Sequence, residues 1–148
     1  MRNRKMTIAL LAHDAKKESM VELVKAHKDL MTEFVIAATA NTGRLVRERT
    51  HLPVTLLQSG PQGGDQQIGA LVANGQVDAV IFLRDPLTTQ SHEPDVTALL
   101  RVCDVHDVPL ATNMAAAEAV LHLLTDHPEA LNQHHLVAQT IDELAGVH

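Results

Sequence analysis

Five short apolar runs, each followed by a stretch with helical spacing, constrain this 148-residue chain more than any other feature. They are MTIALLA (6–12), FVIAAT (34–39), VTLLQ (54–58), DAVIFL (78–83) and VPLAT (108–112). Each is bounded by polar or turn residues, as a buried strand is. Between them, Met20, Leu23 and Val24 share a helical face, as do Ile68, Leu71 and Val72, and also Val96, Leu99, Leu100 and Cys103. GRLVRERT (43–50) reads as a short helix and MAAAEAVLHLL (114–124) as a longer one. Strands alternating with helices predict a parallel sheet covered on both faces. The expected architecture is therefore α/β: a single-domain, doubly wound, Rossmann-like sheet of about five parallel strands. One domain spans 1–148, with its core at about 6–124. A helical tail at about 128–146 starts near Pro128 and stops at Gly146.

Such a fold suits the composition. With two phenylalanines and neither tryptophan nor tyrosine, the core must be aliphatic, as in buried parallel sheets. The same scarcity argues against a module that stacks nucleic-acid bases on aromatic side chains. Net charge is −6, and the short RNRK at 2–5 is the only basic cluster, so no nucleic-acid partner is expected. A single cysteine, Cys103, excludes an internal disulfide and fits a reducing compartment. No apolar run approaches the roughly 18 residues that span a bilayer. No signal peptide is visible either, so no membrane association is expected and the cytoplasm is the expected address.

Ligands of open α/β sheets bind outside the carboxyl ends of the strands, so the residues after each strand matter most. The first run is followed by His13, Asp14 and Lys17, the second by Asn41 and Thr42 after Thr39. After the third comes SGPQGGDQQIGA (59–70), which holds four of the seven glycines and runs into a helix. Glycine loops at helix starts suit phosphate, because bare N–H groups and the helix dipole favour an anion. Here the loop carries Ser59 and Gly60 at one end and a carboxylate, Asp65, at the other. Asp85 follows the fourth run, and His92 and Asp95 lie in SHEPD (91–95). Singly, an aspartate at a helix start reads as a cap and a histidine in a polar loop as solvated. Their convergence on one sheet edge points to an active site.

Other chemistries lack their motifs. There is no G-x-G-x-x-G for a nicotinamide or flavin, no phosphate loop ending in G-K-[ST], and no G-x-S-x-G nucleophile elbow. Asp126, His127, His134 and His135 fit no compact ligand spacing, and no metal is expected. Cys103, in mid-helix on an apolar face, reads as packing.

AHDAKK, TANTG, SGPQGGDQQIGA, FLRDPL, HEPD and PLATN occur here in the order and rough spacing of the methylglyoxal synthase family. The resemblance runs from about Met6 to Leu124 and rests most on the glycine loop ending in Asp65 and on HEPD. It implies a metal-free, cofactor-free carbon–oxygen lyase that converts dihydroxyacetone phosphate to methylglyoxal and inorganic phosphate. It also implies a homohexamer inhibited by phosphate. By motif, Asp65 matches the family's catalytic base, and His92 and Asp95 complete the site, with Asp14 and Asp85 as supporting carboxylates. Lys17, Thr39, Thr42, Ser59 and Gly60 match the phosphate-holding positions, with His13 beside them, and Asn41, which departs from the family's residue, can still donate to phosphate through its amide.

The chemistry asks for these residue types independently. A weakly acidic C–H beside a ketone needs a base against it and a donor for the developing oxyanion. A carboxylate serves the first need, a neutral histidine or backbone N–H the second. Phosphate then leaves by β-elimination if its C–O bond stands perpendicular to the enediolate plane, so gripping the phosphate is part of catalysis. Two departures from the family pattern carry expectations. Ala40-Asn41 stands where the family has Gly-Thr, and alanine is strained there if position 40 needs positive φ. No Lys or Arg follows Arg101, which predicts weakened cooperativity toward phosphate. The rival readings are a non-catalytic effector-binding domain of the carbamoyl-phosphate-synthetase regulatory type, and an isomerase or phosphatase acting on a related phosphosugar.

Overall fold

A computed structural model describes residues 5–130. The expected helical tail at 128–146 falls almost wholly outside the described residues, as do His134 and His135. Five parallel strands run β1 (Thr7–Ala12), β2 (Val35–Ala38), β3 (Thr55–Leu56), β4 (Ala79–Leu83) and β5 (Leu110–Ala111). Their spatial order is β3-β2-β1-β4-β5. All five expected strands are present, and all are shorter than their apolar runs. The shortening is greatest in β3 and β5, the edge strands, which have a neighbour on one side only.

The helices are α1 (Lys17–Ala26), α2 (Lys28–Met31), α3 (Ala40–Thr50), α4 (Gly64–Ala73), α5 (Glu93–Val105) and α6 (Met114–Asp126). Side chains alternate across each strand, so β1 feeds two cores. Ile8, Leu10 and Ala12 join Met20, Val24, Val46 and Leu121 on the face covered by α1, α3 and α6. Ala9 and Leu11 join Ile68, Val72, Val96 and Leu99 under α4 and α5. Burying both faces is why the strands read as continuous apolar runs. Cys103 lies in the second core with its thiol pushed up to about 11 by burial, an inert packing residue.

Topology fixes where a ligand goes. The strand order reverses between β1 and β4, and the crevice at such a switch point is the usual binding position. β1 and β4 stay in register from Ile8 opposite Ala79 to Ala12 opposite Leu83, and the next amide, of His13, reaches Leu83 O at 3.1 Å. His13 and Arg84 therefore leave the sheet side by side at its centre.

Candidate active site

Each strand exit places its polar residues by an identifiable local device. After β1 a single 3-10 turn, Asp14–Lys16, leads into α1 and brings Lys17 to its first position. After β2, Thr39 opens α3, whose first turn carries no acidic residue. First-turn N–H groups have no partner inside a helix, so this end is suited to an anion. Ala40 occupies the first helical position there. Among the described residues only His51 and Asp107 combine a side chain with positive φ, so position 40 carries no strain.

After β3 the chain makes a 3-10 turn, Gly60–Gln62, and starts α4 through Gly63 at φ +105°. A Cβ at Gly64 would come within 2.1 Å of Gln58 O, so the helix can start against the strand exit only with glycine there. The turn drops Asp65 into the protein, 2% exposed, at the first turn of α4. After β4, residues 84–92 loop over the sheet edge and return His92 at the start of α5.

These exits enclose a cavity of about 180 Å³ lined by His13, Lys17, Thr39, Thr42, Asp65 and His92. Asp14, Asn41, Ser59 and Gly60 also face it. Drug-sized ligands need roughly 300–1,000 Å³, so this space suits a molecule of a few heavy atoms. Leu11, Ala12, Phe82, Pro61 and Gln90 complete the wall. None of these five was singled out from sequence. In a strand buried on both faces, nothing in the pattern marks which apolar residue meets a ligand, and Gln90 sits in a loop without periodicity.

Polarity is divided along the cavity. At one end the Lys17 Nζ donates to Ala12 O at 2.9 Å and to Asp14 Oδ1 at 2.8 Å, which leaves one of its three donors for the cavity. Thr39 and Thr42 are buried beside it, and the Thr42 hydroxyl lies 3.4 Å from Ala12 O. At the other end Asp65 Oδ2 stands 3.7 Å from His92 Nε2. Gly60 passes so close that a Cβ would lie 2.9 Å from His92 Nε2 and 3.3 Å from Asp65 Oδ1.

Three buried polar atoms of the lining residues lack a hydrogen bond: His13 Nε2, Asp65 Oδ2 and His92 Nδ1. Buried polar groups are ordinarily paired, so their concentration at one cavity marks a place prepared for a ligand. His13 is oriented by the backbone. The Asp85 N–H donates to His13 Nδ1 at 2.8 Å, which makes Nδ1 an acceptor and puts the proton on Nε2, toward the cavity. Burial first, then the neighbouring His92 and Arg84, hold its pKa below the ordinary histidine value. The ring is therefore a neutral donor.

Asp65 moves the opposite way. Burial raises its pKa; His92 opposes this, while Asp95 and Glu93 add to the rise. Desolvation thus outweighs the helix N-terminus, which by itself favours the anion. A carboxylate made more basic by its surroundings is suited to taking a proton.

The three remaining carboxylates stand apart from the Asp65–His92 end: Asp14 lies on the cavity's open rim beside Lys17, and Asp85 and Asp95 do not line the cavity. Asp14 is 98% exposed at its side chain, tied to Lys17, and the Lys17 hydrogen bond lowers its pKa. Asp85 contributes its amide to His13. Its carboxylate turns to Thr88 and to the Leu87 N–H, which hold its pKa down. Asp95 accepts a 2.9 Å hydrogen bond from Gln66 Nε2 and does not line the cavity. Among the described residues, no group of three or more His, Cys, Asp or Glu side chains is placed to hold a metal ion, and no helix is long and apolar enough to cross a membrane.

Known proteins resemble this chain over most of its length. The family model of the MGS-like domain matches residues 19–112. The chain is 58% identical over 123 residues to a methylglyoxal synthase of Moorella thermoacetica, covering 83% of this chain and 96% of that protein. It is 60% identical over 116 residues to a methylglyoxal synthase of Thermoanaerobacter pseudethanolicus, covering 78% and 88%. A solved methylglyoxal synthase from Elizabethkingia anophelis superimposes with a TM-score of 0.75 at 43% identity, covering 79% of this chain and 77% of that one.

Proposed function

The chain belongs to the methylglyoxal synthase family, and from that premise we propose that it converts dihydroxyacetone phosphate to methylglyoxal and inorganic phosphate. The observation that carries this reading is the divided cavity. A buried basic carboxylate faces a histidine at one end, and a lysine with buried threonines stands at the other. A three-carbon ketone with a phosphate at one terminus matches that division and that size.

In this reading the phosphate is held by Lys17, the hydroxyls of Thr39, Thr42 and Ser59, Asn41, and the first turn of α3. The hydroxymethyl carbon then lies against Asp65 Oδ2, which takes one of its protons. The C–H electron pair becomes the C–C double bond of an enediolate. Negative charge gathers on the former ketone oxygen, where the His13 Nε2–H donates, with His92 beside it. As the hydroxyl oxygen becomes the aldehyde it gives up its proton, which leaves with the phosphate, while the double-bond pair shifts and breaks the C–O bond on the neighbouring carbon. The enolate left behind then takes a proton at its terminal carbon and becomes methylglyoxal. A neutral His13 serves better than a cation here, because its donor strengthens with developing charge and does not trap the oxyanion by full proton transfer.

Assembly as a homohexamer in the cytoplasm, with phosphate as inhibitor as well as product, belongs to the same proposal; sedimentation velocity tests the assembly. The activity test is direct. Purified protein is incubated with dihydroxyacetone phosphate in chelator, and methylglyoxal and phosphate are measured together. Equal amounts of the two are expected. Formation of an isomeric triose phosphate without phosphate release would overturn the reading.

A further inference from the structure

Asp65 Oδ2 and His92 Nδ1 have no hydrogen bond to hold them in place. Their separation is therefore set by the backbone that carries each of them, the first turn of α4 and the start of α5. These helices pack side by side over Ile68, Val72, Val96 and Leu99, and a groove of about 290 Å³ between them is lined by Gly69, Ala70, Ala73, Ala98, Leu99 and Val102, with Gln66 and Asp95 toward the helix starts. Gln66 follows Asp65 directly, and Asp95 lies on the turn that begins at His92, whose carbonyl accepts the Asp95 N–H at 3.0 Å. The 2.9 Å hydrogen bond from Gln66 Nε2 to Asp95 Oδ1 spans the mouth of that groove.

Resting on the activity proposed above, we infer that Gln66 is a positioning residue. Its amide straps the first turn of α4 to that of α5 and so sets the gap between the Asp65 carboxylate and the His92 ring. Gln66 is exposed and does not line the substrate cavity. It touches neither the phosphate end nor the reacting atoms, so its loss acts on the chemical step alone. The bond to Asp95 is charge-assisted, which makes it stronger than a neutral amide contact at the same exposure. The strap also keeps Asp95 close to Asp65, which His92, Glu93 and Asp95 all face from α5.

The test compares Gln66→Leu, Gln66→Lys and wild type, with circular dichroism to verify the fold. Leucine keeps the bulk and removes the donor; lysine restores a donor of similar reach toward Asp95. For Gln66→Leu, kcat falls about 5–50-fold, within the range that a small misplacement costs, and KM stays within about twofold. Gln66→Lys recovers to within about threefold of wild type. In an Asp95→Leu background, Gln66→Leu costs almost nothing further, the mark of coupled residues. An unchanged kcat in Gln66→Leu, a loss that lysine does not restore, or additive losses with Asp95→Leu each overturn the inference. Wild-type turnover separately tests the activity reading. If wild type is inactive, histidine NMR decides: the His92 ring resonance must move in Gln66→Leu while that of His27, paired with Glu118 elsewhere, stays fixed. A static His92 resonance then overturns the strap.

Discussion

Asp65 Oδ2 and His92 Nε2 stand 3.7 Å apart, too far for a hydrogen bond and close enough to flank a single small group. Both side chains are well shielded, at 2% and 11% exposure, and neither relaxes onto a nearer partner at that gap. Gly60 keeps the gap open by having no Cβ. The relationship is that of two groups waiting on opposite sides of one ligand.

Asp65→Asn is expected to lower kcat by about 10²–10⁴-fold, the usual contribution of a positioned base, while inorganic phosphate still binds. It should also stabilise the protein at neutral pH. The folded-state pKa of Asp65 lies above its ordinary value of 3.8, so the folded protein holds that proton more tightly than the unfolded chain. Stability therefore falls as pH rises from the unfolded value through the folded one, and stays lower above it. Asparagine is free of this penalty. Thermal melts should show a higher Tm for Asp65→Asn at pH 7, with the difference closing as the pH falls below 3.8. A variant no more stable at pH 7 would argue against a desolvated Asp65.

Gly60→Ala isolates close approach from backbone conformation, because position 60 does not have the positive φ of Gly63. The added methyl would lie 2.9 Å from His92 Nε2 and push into the slot. The expected result is a kcat loss of about 10²-fold, the scale of an ångström-level displacement, with a Tm near that of wild type. Near-normal turnover would mean that the slot is not where the reaction occurs.

The fold was legible because β1 and β4, buried on both faces, leave continuous apolar runs that no surface helix leaves. The edge strands were legible in place but not in length, since VTLLQ and VPLAT are apolar whether or not a second neighbour pairs with them. At the site, Asp65, His92 and Lys17 fall in dense motifs at strand exits, and the structure brings all three to one cavity. The orientation of a side chain was not legible. Asp14 and Asp85 sit in sequence where catalytic carboxylates could sit, yet one faces solvent and the other contributes its amide. Gln66 was invisible for a related reason. Its partner Asp95 is 29 residues away, and only the packing of α4 on α5 brings them together.

The acid limb of kcat/KM should report Asp65, the base that must be ionised in the free enzyme. Because burial raises its pKa, that limb should lie above the ordinary carboxylate value of 3.8. Asp95→Asn provides the sign test. It removes a negative charge that favours the protonated form of Asp65, while the amide oxygen left in place of the carboxylate can still accept from Gln66. The limb should therefore move to lower pH. A limb that stays fixed or moves upward would assign it to another group.

Lys17→Met tests whether gripping the phosphate also directs the chemistry. Methionine keeps most of the apolar stem and removes the charge and all three donors, including the one left for the cavity beyond Ala12 O and Asp14. Weaker binding alone would raise KM by about 10–10²-fold, the worth of one charge-assisted contact. Alignment predicts something further. An enediolate whose C–O bond is no longer held perpendicular to its plane returns its proton more often than it expels phosphate. In deuterated water at saturating substrate, the variant should therefore put more deuterium into recovered dihydroxyacetone phosphate, per phosphate released, than wild type does. An unchanged exchange-to-release ratio would confine Lys17 to binding and leave alignment to the threonines of α3.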